Sequence, residues 1–127
     1  SPAPPTLRGA TPLEKAQLGQ WLRWIELFFF RTTGMCFQHT TGYFKDRMNP
    51  IKEWGEECGK SVEKFMHFLD KQLEGKEYIC CDRFTAADIN AFTTVAFARV
   101  VGIRIKPEQA NLQAWYDRIK ERPSAQV

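Results

Sequence analysis

The sequence predicts an all-α protein, a bundle of four to five helices, and three observations carry that prediction. Apolar residues recur at steps of three and four over several long stretches, which is the spacing of one helix face. Residues 84–89 combine several signals that begin a helix. The only run typical of a strand, residues 78–81, is short, and a single strand cannot form a sheet.

Length and charge narrow the range of functions. The 127 residues suffice for one domain with a buried core, and 43% of them are hydrophobic. The net charge is +3 with both signs interspersed, which gives no electrostatic support for a nucleic-acid partner. The longest apolar run, residues 27–30, is far too short to span a bilayer. We therefore expect no nucleic acid and no membrane among the partners.

The first long helix is predicted to begin at a capping box. Residues 1–6 are rich in proline, which argues against a helix, and we interpret residues 1–10 as a linker remnant. Thr11 then supplies a cap, Pro12 the first helical position and Glu14 the carboxylate that closes the box. The apolar stripe that follows is Leu18, Trp21, Leu22, Ile25, Phe28 and Phe29. Residues 32–34, Thr-Thr-Gly, predict the end of this helix or a bend in it.

The second long helix has the cleanest amphipathic pattern in the chain. Residues 35–48 lack periodicity and predict a loop with at most one helical turn, after which Asn49 is placed to cap a new helix. Its stripe consists of Ile51, Trp54, Cys58, Val62, Phe65, Leu69 and Leu73. Gly75 is the predicted stop.

The third long helix begins at the segment with the strongest signals. The Thr85 hydroxyl can cap the helix, and Asp88 can return a bond to the backbone N–H of Thr85. Phe84 and Ile89 stand at the two positions of a hydrophobic staple. This helix is predicted to run towards Val101. A last helix follows through Leu112, Trp115, Tyr116 and Ile119 and ends before Pro123.

The cysteines and histidines do not form a metal-binding pattern. The four cysteines are Cys36, Cys58, Cys80 and Cys81, and the two histidines are His39 and His67. No CxxC pair is present, so we expect no metal. The adjacent Cys80 and Cys81 are not expected to bond easily to each other, because a disulfide needs well-separated Cα atoms. Scattered thiols are typical of a reducing compartment, and we expect a cytoplasmic protein.

Three segments of the chain, in this order, resemble the C-terminal helical domain of cytosolic glutathione transferases. They are Thr11-Pro12-Leu13-Glu14-Lys15-Ala16, Phe84-Thr85-Ala86-Ala87-Asp88-Ile89, and Leu112 with Trp115-Tyr116 followed by Arg122-Pro123. The resemblance implies that Thr85 and Asp88 serve folding and not catalysis. It also implies that a thioredoxin-like domain, which holds most of the glutathione site in that family, is absent here. The domain organisation is then the linker remnant followed by a helical domain over residues 11–127.

The resemblance also implies where a ligand would bind. In that family the later turns of the first long helix face the cleft between the two domains, and Phe28, Phe29, Phe30 and Arg31 stand there. Arg31 is a candidate to stabilise a thiolate, although the helix dipole alone favours an arginine near a helix C-terminus. Phe30 and Phe28 are candidates for an apolar wall, as is Trp115, for which packing in the core is the stronger interpretation. No catalytic residue is expected in this chain.

The function implied is that of one half of an enzyme. The chain would hold an apolar electrophilic small molecule, and the missing domain would bind glutathione as co-substrate and activate its thiol. Alone it would be inactive and need no cofactor of its own. A homodimer is expected, with Trp24 and Leu27 off the main stripe as part of the contact surface. Two alternatives stay open: a stand-alone, non-catalytic interaction module of the same fold, and a carrier of apolar ligands.

Overall fold

The computed structural model describes residues 5–123, with side chains described from residue 7 onwards. Within that range no residue lies in a β-strand, and four long helical rods form a bundle. The all-α prediction is confirmed. Ser1–Pro4 of the predicted linker lie outside the described residues, while Pro5–Arg8 forms a short helix, α1. Proline is compatible with the first position of a helix, so the expectation of no helix over residues 1–6 was wrong at its last two residues.

Helix α2 covers Pro12–Trp24 and begins where the sequence predicts. The Thr11 hydroxyl accepts a hydrogen bond from the Glu14 N–H at 3.1 Å. The Glu14 carboxylate accepts from the backbone N–H of Ala10, at 2.9 Å, and also pairs with the guanidinium of Arg83. The start of α2 is therefore tied to the segment that precedes the third long helix.

The first rod does not end near Gly34, and that prediction was wrong. A π-helical segment, Ile25–Phe30, connects α2 directly to α3, Arg31–Thr41. The hydroxyl of Thr33 donates to the carbonyl of Phe29 at 2.7 Å, so a side chain that commonly favours turns is satisfied inside the helix. The rod ends at Gly42, which adopts a left-handed conformation with φ 69°.

Helix α4, Lys52–Gln72, begins in a different way from the one expected. Asn49 does not cap it; the ring of His39 in α3 accepts the backbone N–H of Ile51, through Nδ1 at 2.9 Å. Close packing of α3 on α4 depends on Gly55, where a Cβ atom would lie 2.7 Å from the Cγ2 of Thr40. A side chain larger than hydrogen at this position would therefore push the two helices apart.

Helix α5 covers Ala86–Ala98 and continues into a 3₁₀ turn, Arg99–Val101; α6 covers Ala110–Lys120. The buried Asp70 of α4 accepts the N–H of Leu112 in the first turn of α6 at 2.8 Å, and so caps that helix from a distance. The core draws on all four rods, and its largest fully buried members are Ile25, Phe29, Val62, Met66, Leu69, Leu73, Val95, Leu112, Trp115 and Ile119. Two residues of the predicted α4 stripe, Ile51 and Trp54, are half exposed, since they lie at the end of α4 beyond the core.

The fully buried carboxylate of Asp88 joins three segments of the chain. Its Oδ2 accepts the N–H of Thr85 at 2.9 Å, which with the Thr85 hydroxyl completes the capping box of α5. Its Oδ1 accepts the N–H of Ile79 at 3.1 Å and the indole N–H of Trp115 at 2.8 Å. Burial raises the pKa of Asp88, and the hydrogen bond from Trp115, followed by those from Thr85 and Ile79, partly opposes that rise.

The apolar pair predicted as a hydrophobic staple has one partly exposed member, because Ile89 is 40% exposed. Phe84 lies against Tyr78, with ring centroids 6.4 Å apart, and the guanidinium carbon of Arg122 stands 3.8 Å from its ring centroid. The entry into α5 is thus fixed by contacts to the loop before it and to the end of the described chain.

We predict that Asp88→Asn lowers the free energy of unfolding by about 1–3 kcal/mol, the usual cost of a buried polar group that loses its partner. The amide nitrogen is a donor, so it would face at least one of the three N–H groups that the carboxylate now accepts. Urea denaturation measures the loss. Asp82→Asn is the matched control, because Asp82 is exposed and its φ of 52° suits asparagine as well. Equal stability of the two variants would contradict the prediction.

We predict that the pair of Glu14 with Arg83 stabilises the fold at neutral pH and not in acid. The hydrogen bond from Arg83, followed by that from Ala10, lowers the pKa of Glu14 in the folded protein. The contribution is therefore present above roughly pH 4.3, where an unperturbed glutamate titrates, and is lost as the pH falls through the lower folded pKa. The difference in Tm between the protein and Glu14→Gln should accordingly shrink towards zero in acid.

Glu63→Gln is the control for this comparison, since Glu63 pairs with Lys106 at 3.1 Å and both side chains are largely in contact with solvent. A Tm difference for Glu14→Gln that stays constant from neutral pH to roughly pH 3, more than one unit below the ordinary pKa of glutamate, would contradict the assigned role.

Candidate functional site

A cavity of about 480 Å³ opens between the first rod and α5, and we refer to it as the Phe30 cavity. Its first wall comes from the π-helical segment and the turn before it, with Leu22, Ile25, Glu26 and Phe30. Its second wall comes from one face of α5, with Asn90, Thr93 and Thr94. The volume lies within the range of small-molecule sites, and apolar and polar groups are both present.

Three consecutive phenylalanines have different roles along the π-helical segment. Phe29 is fully buried and stacks on Phe65, with ring centroids 4.9 Å apart. Phe30 is 52% exposed on the cavity side, and its ring lies 6.4 Å from that of Phe97. Phe28 is 56% exposed and is not part of the cavity wall. Of the candidate apolar wall residues, Phe30 is the one placed at this cavity.

The structure separates Arg31 from Phe30. Arg31 is exposed and lines a second cavity of about 560 Å³, between the first rod and α4, together with Leu27, Trp54 and Glu57. We refer to it as the Trp54 cavity. In the π-helical segment the N–H of Arg31 bonds to the carbonyl of Glu26, five residues back, which makes this turn wider than an α-helical turn. The wider turn places Phe30 and Arg31 at different cavities. The two candidates therefore do not converge on one site.

Trp115 is a core residue, and its candidate role at a ligand wall was wrong. The side chain has no exposed surface, and its indole N–H is committed to Asp88. A ligand could reach Trp115 only after α6 had left the core.

Glu26, Asn90 and Thr93 were missed in the sequence as cavity residues. All three are exposed polar side chains on helices, which by themselves indicate a solvated face. Their relation to Phe30 depends on how α5 crosses the first rod, and no local pattern encodes that crossing. The buried face of α5 consists of Ala87, Asp88, Ala91, Thr94, Val95 and Ala98.

The described residues do not contain a cluster of three or more histidine, cysteine or acidic side chains that could hold a metal ion. Burial raises the pKa of the Cys36 and Cys58 thiols, and it raises the pKa of the Cys80 thiol to about 12. Thiols of this kind are mostly protonated at neutral pH and are weak nucleophiles.

The comparisons with known proteins agree with this architecture. The family model described as "Glutathione S-transferase, C-terminal domain" matches residues 35–123, which is more than half of the chain. The chain belongs to the glutathione S-transferase family. Over 122 residues it is 33% identical to "Glutathione S-transferase 2" of Saccharomyces cerevisiae, covering 94% of the chain and 52% of that protein. This glutathione S-transferase domain therefore spans about half the length of that curated relative.

Solved structures support the same assignment. The crystal structure of Gtt2 from Saccharomyces cerevisiae superimposes with a TM-score of 0.89 at 32% identity, over 95% of this chain and 59% of that one. The class Gtt2 glutathione S-transferase of Vibrio parahaemolyticus gives a TM-score of 0.83 at 30% identity, over 95% of this chain and 56% of that one. In the part of the glutathione S-transferase domain that the structure describes, no helix is long and apolar enough to cross a membrane.

Proposed function

We propose that this domain is the electrophile-binding half of a glutathione transferase-like enzyme, with the electrophile held in the Phe30 cavity. The single observation that carries the proposal is the exposed, aromatic wall of that cavity in a chain that spans about half of its relatives. A half-exposed phenylalanine beside an open cavity is the kind of surface that an apolar ligand or a second domain covers. Glutathione would be the co-substrate and would bind mainly in a preceding thioredoxin-like domain.

The chemistry available in this cavity is binding and orientation. Phe30 and Leu22 offer apolar surface, while Glu26 and Asn90 stand at its polar side. Holding an electrophile at a fixed place next to a thiolate accelerates its reaction by proximity, with no group of this half entering the bond changes. The thiol-activating group would belong to the preceding domain, and this half alone would be inactive.

We also propose that the domain forms a homodimer through the Trp54 cavity and its rim. Leu27 and Trp54 are 41% and 51% exposed there, and Phe68 of α4 is 36% exposed on the same rod. Arg31 and Glu57 line the cavity with opposite charges, so a two-fold axis would bring Arg31 of each subunit next to Glu57 of the other. In this arrangement Arg31 serves assembly, and its alternative role at a thiolate has less support because it faces away from Phe30.

The first test of the enzyme proposal joins this chain to the part of yeast Glutathione S-transferase 2 that it does not cover. We predict that the fusion catalyses conjugation of glutathione to 1-chloro-2,4-dinitrobenzene and that the chain alone does not. In the fusion, Phe30→Ala should raise KM for the electrophile, lowering kcat/KM roughly tenfold, which corresponds to about 1.4 kcal/mol. KM for glutathione should not change.

Phe28→Ala is the matched control, because Phe28 is equally exposed and lies on the same turn outside the cavity wall. Equal losses for Phe28→Ala and Phe30→Ala would remove the Phe30 cavity as the electrophile site. A correctly folded fusion that binds glutathione but conjugates nothing would favour the non-catalytic interaction module.

The dimer proposal has its own test in sedimentation equilibrium. We predict that Trp54→Ala raises the dissociation constant of the dimer by about tenfold or more, because central tryptophans commonly dominate interface energies. Tyr43→Ala is the control, since Tyr43 is 69% exposed on the turn after α3 and lies outside the Trp54 cavity. A protein that is monomeric at all concentrations, or equally weakened by both changes, would contradict this assembly.

A further inference from the structure

Two adjacent cysteines lie with their sulfur atoms in contact. Cys80 and Cys81 are free thiols, and their Sγ atoms are 3.0 Å apart. In an extended chain, successive side chains point to opposite faces and such a contact does not form. Here the backbone turns sharply, with left-handed φ values of 65° at Cys81 and 52° at Asp82, which non-glycine residues seldom adopt. The fold thus holds two thiols together that the sequence alone would separate.

We propose that Cys80 and Cys81 form a redox-modification site, at which a small-molecule disulfide converts the two thiols reversibly into a disulfide between adjacent residues. The inference is independent of any transferase activity. The sequence predicted that these two cysteines would not bond easily, because their Cα atoms are close together. The contact between their Sγ atoms revises that expectation.

Exposure determines the order of the two steps. Cys81 is partly exposed at a groove of about 660 Å³ between α2 and the loop before α5, whereas Cys80 is only 6% exposed. The Cys81 thiolate attacks one sulfur of oxidised glutathione, forming a mixed disulfide and releasing one glutathione thiolate. The Cys80 sulfur then attacks the Cys81 sulfur, and its proton goes to the second departing glutathione thiolate. Two protein thiols are oxidised and one oxidised glutathione is reduced to two thiols.

Geometry predicts that this disulfide is easily reduced. Adjacent Cα atoms are about 3.8 Å apart across a trans peptide bond, below the usual lower limit of about 4.4 Å for a disulfide. A strained disulfide has a higher reduction potential and belongs to the labile, regulatory kind.

The two cysteines lie in a segment that makes hydrogen bonds to the starts of two helices. The Cys81 thiol donates to the carbonyl of Glu14 in α2 at 3.8 Å, and a sulfur bonded to Cys80 has no proton to donate there. Ile79, one residue before the pair, donates to Asp88, and Arg83, two residues after it, pairs with Glu14. Oxidation would therefore act on the segment that connects the start of α2 to the start of α5.

Trypsin makes the test direct, because cleavage after Lys76 and Arg83 places both cysteines in one peptide, residues 77–83. Cys36 and Cys58 fall in separate tryptic peptides and serve as internal controls. The folded protein is equilibrated with mixtures of reduced and oxidised glutathione, quenched in acid, denatured, alkylated and digested without reductant. We expect peptide 77–83 to lose two hydrogen atoms and take no alkyl group, and to recover both alkylation sites after dithiothreitol.

The same titration in denaturant measures the contribution of the fold. We expect the folded protein to be half oxidised at a ratio of oxidised glutathione to the square of reduced glutathione, in concentrations, about tenfold lower than the denatured protein requires, which is about 30 mV for a two-electron couple. Equal values for the two states would overturn the proposal, because adjacency alone would then explain the bond. So would a folded protein in which Cys81 carries glutathione while Cys80 is alkylated.

Two variants separate the roles of the cysteines. Cys80→Ser should stop at the mixed disulfide, with one glutathione added to Cys81, and Cys81→Ser should take no modification, because Cys80 is buried. Glutathione bound to Cys80 in Cys81→Ser would overturn the assigned order. If either variant fails to fold, the comparison of the folded and denatured protein decides the question without it.

Discussion

A single buried carboxylate organises this domain. Asp88 accepts hydrogen bonds from the backbone of the loop before α5, from the cap of α5 and from the indole of α6, so three segments depend on one side chain. A buried charge is tolerated only when donors replace the water it has lost, and each of these donors would in turn be unsatisfied without it. The cap that begins α5 and the packing that holds α6 are therefore parts of one arrangement.

The sequence could reveal only the local part of that arrangement. Thr85 and Asp88 are three residues apart, and the capping box follows from chemistry within one helical turn. Trp115 lies 27 residues further on, and its bond to Asp88 depends on how α6 crosses α5. The same limit explains the start of α4. Asn49 has the right position in the sequence but does not cap this helix, whereas His39, from the preceding helix, accepts the N–H of Ile51 at its start. In α3, threonine hydroxyls bond back to helix carbonyls and so find their partners inside a helix where composition predicts a turn.

For the candidate site, too, the sequence could predict only the local part. The sequence indicated the right helical turn, but the π-helical segment, which no periodicity predicted, decides which side chains share a surface. It buries Phe29, exposes Phe30 towards α5 and directs Arg31 towards α4. Residues adjacent in sequence thus contribute to the core, to the proposed ligand cavity and to a proposed subunit contact. A substitution at Phe29 would act on folding, whereas one at Phe30 would change the wall of the Phe30 cavity with little effect on the core.

The loop before α5 provides the other contacts that connect the start of α2 to the start of α5. Ile79 contributes a donor to Asp88, Arg83 holds Glu14 at the start of α2, and Cys80 and Cys81 lie between them in sequence. This loop has no regular secondary structure, and its conformation depends on such tertiary contacts and on the burial of Ile79 and Cys80. A further contact is the hydrogen bond that Arg118 of α6 donates to the carbonyl of Glu77. The loop lacks the regular backbone hydrogen bonds of a helix, which would oppose a covalent change at the two sulfur atoms. Such a change would also act close to the carboxylate of Asp88, on which the core depends. The proposed disulfide between Cys80 and Cys81 would therefore form in the segment that connects the start of α2 to the cap of α5.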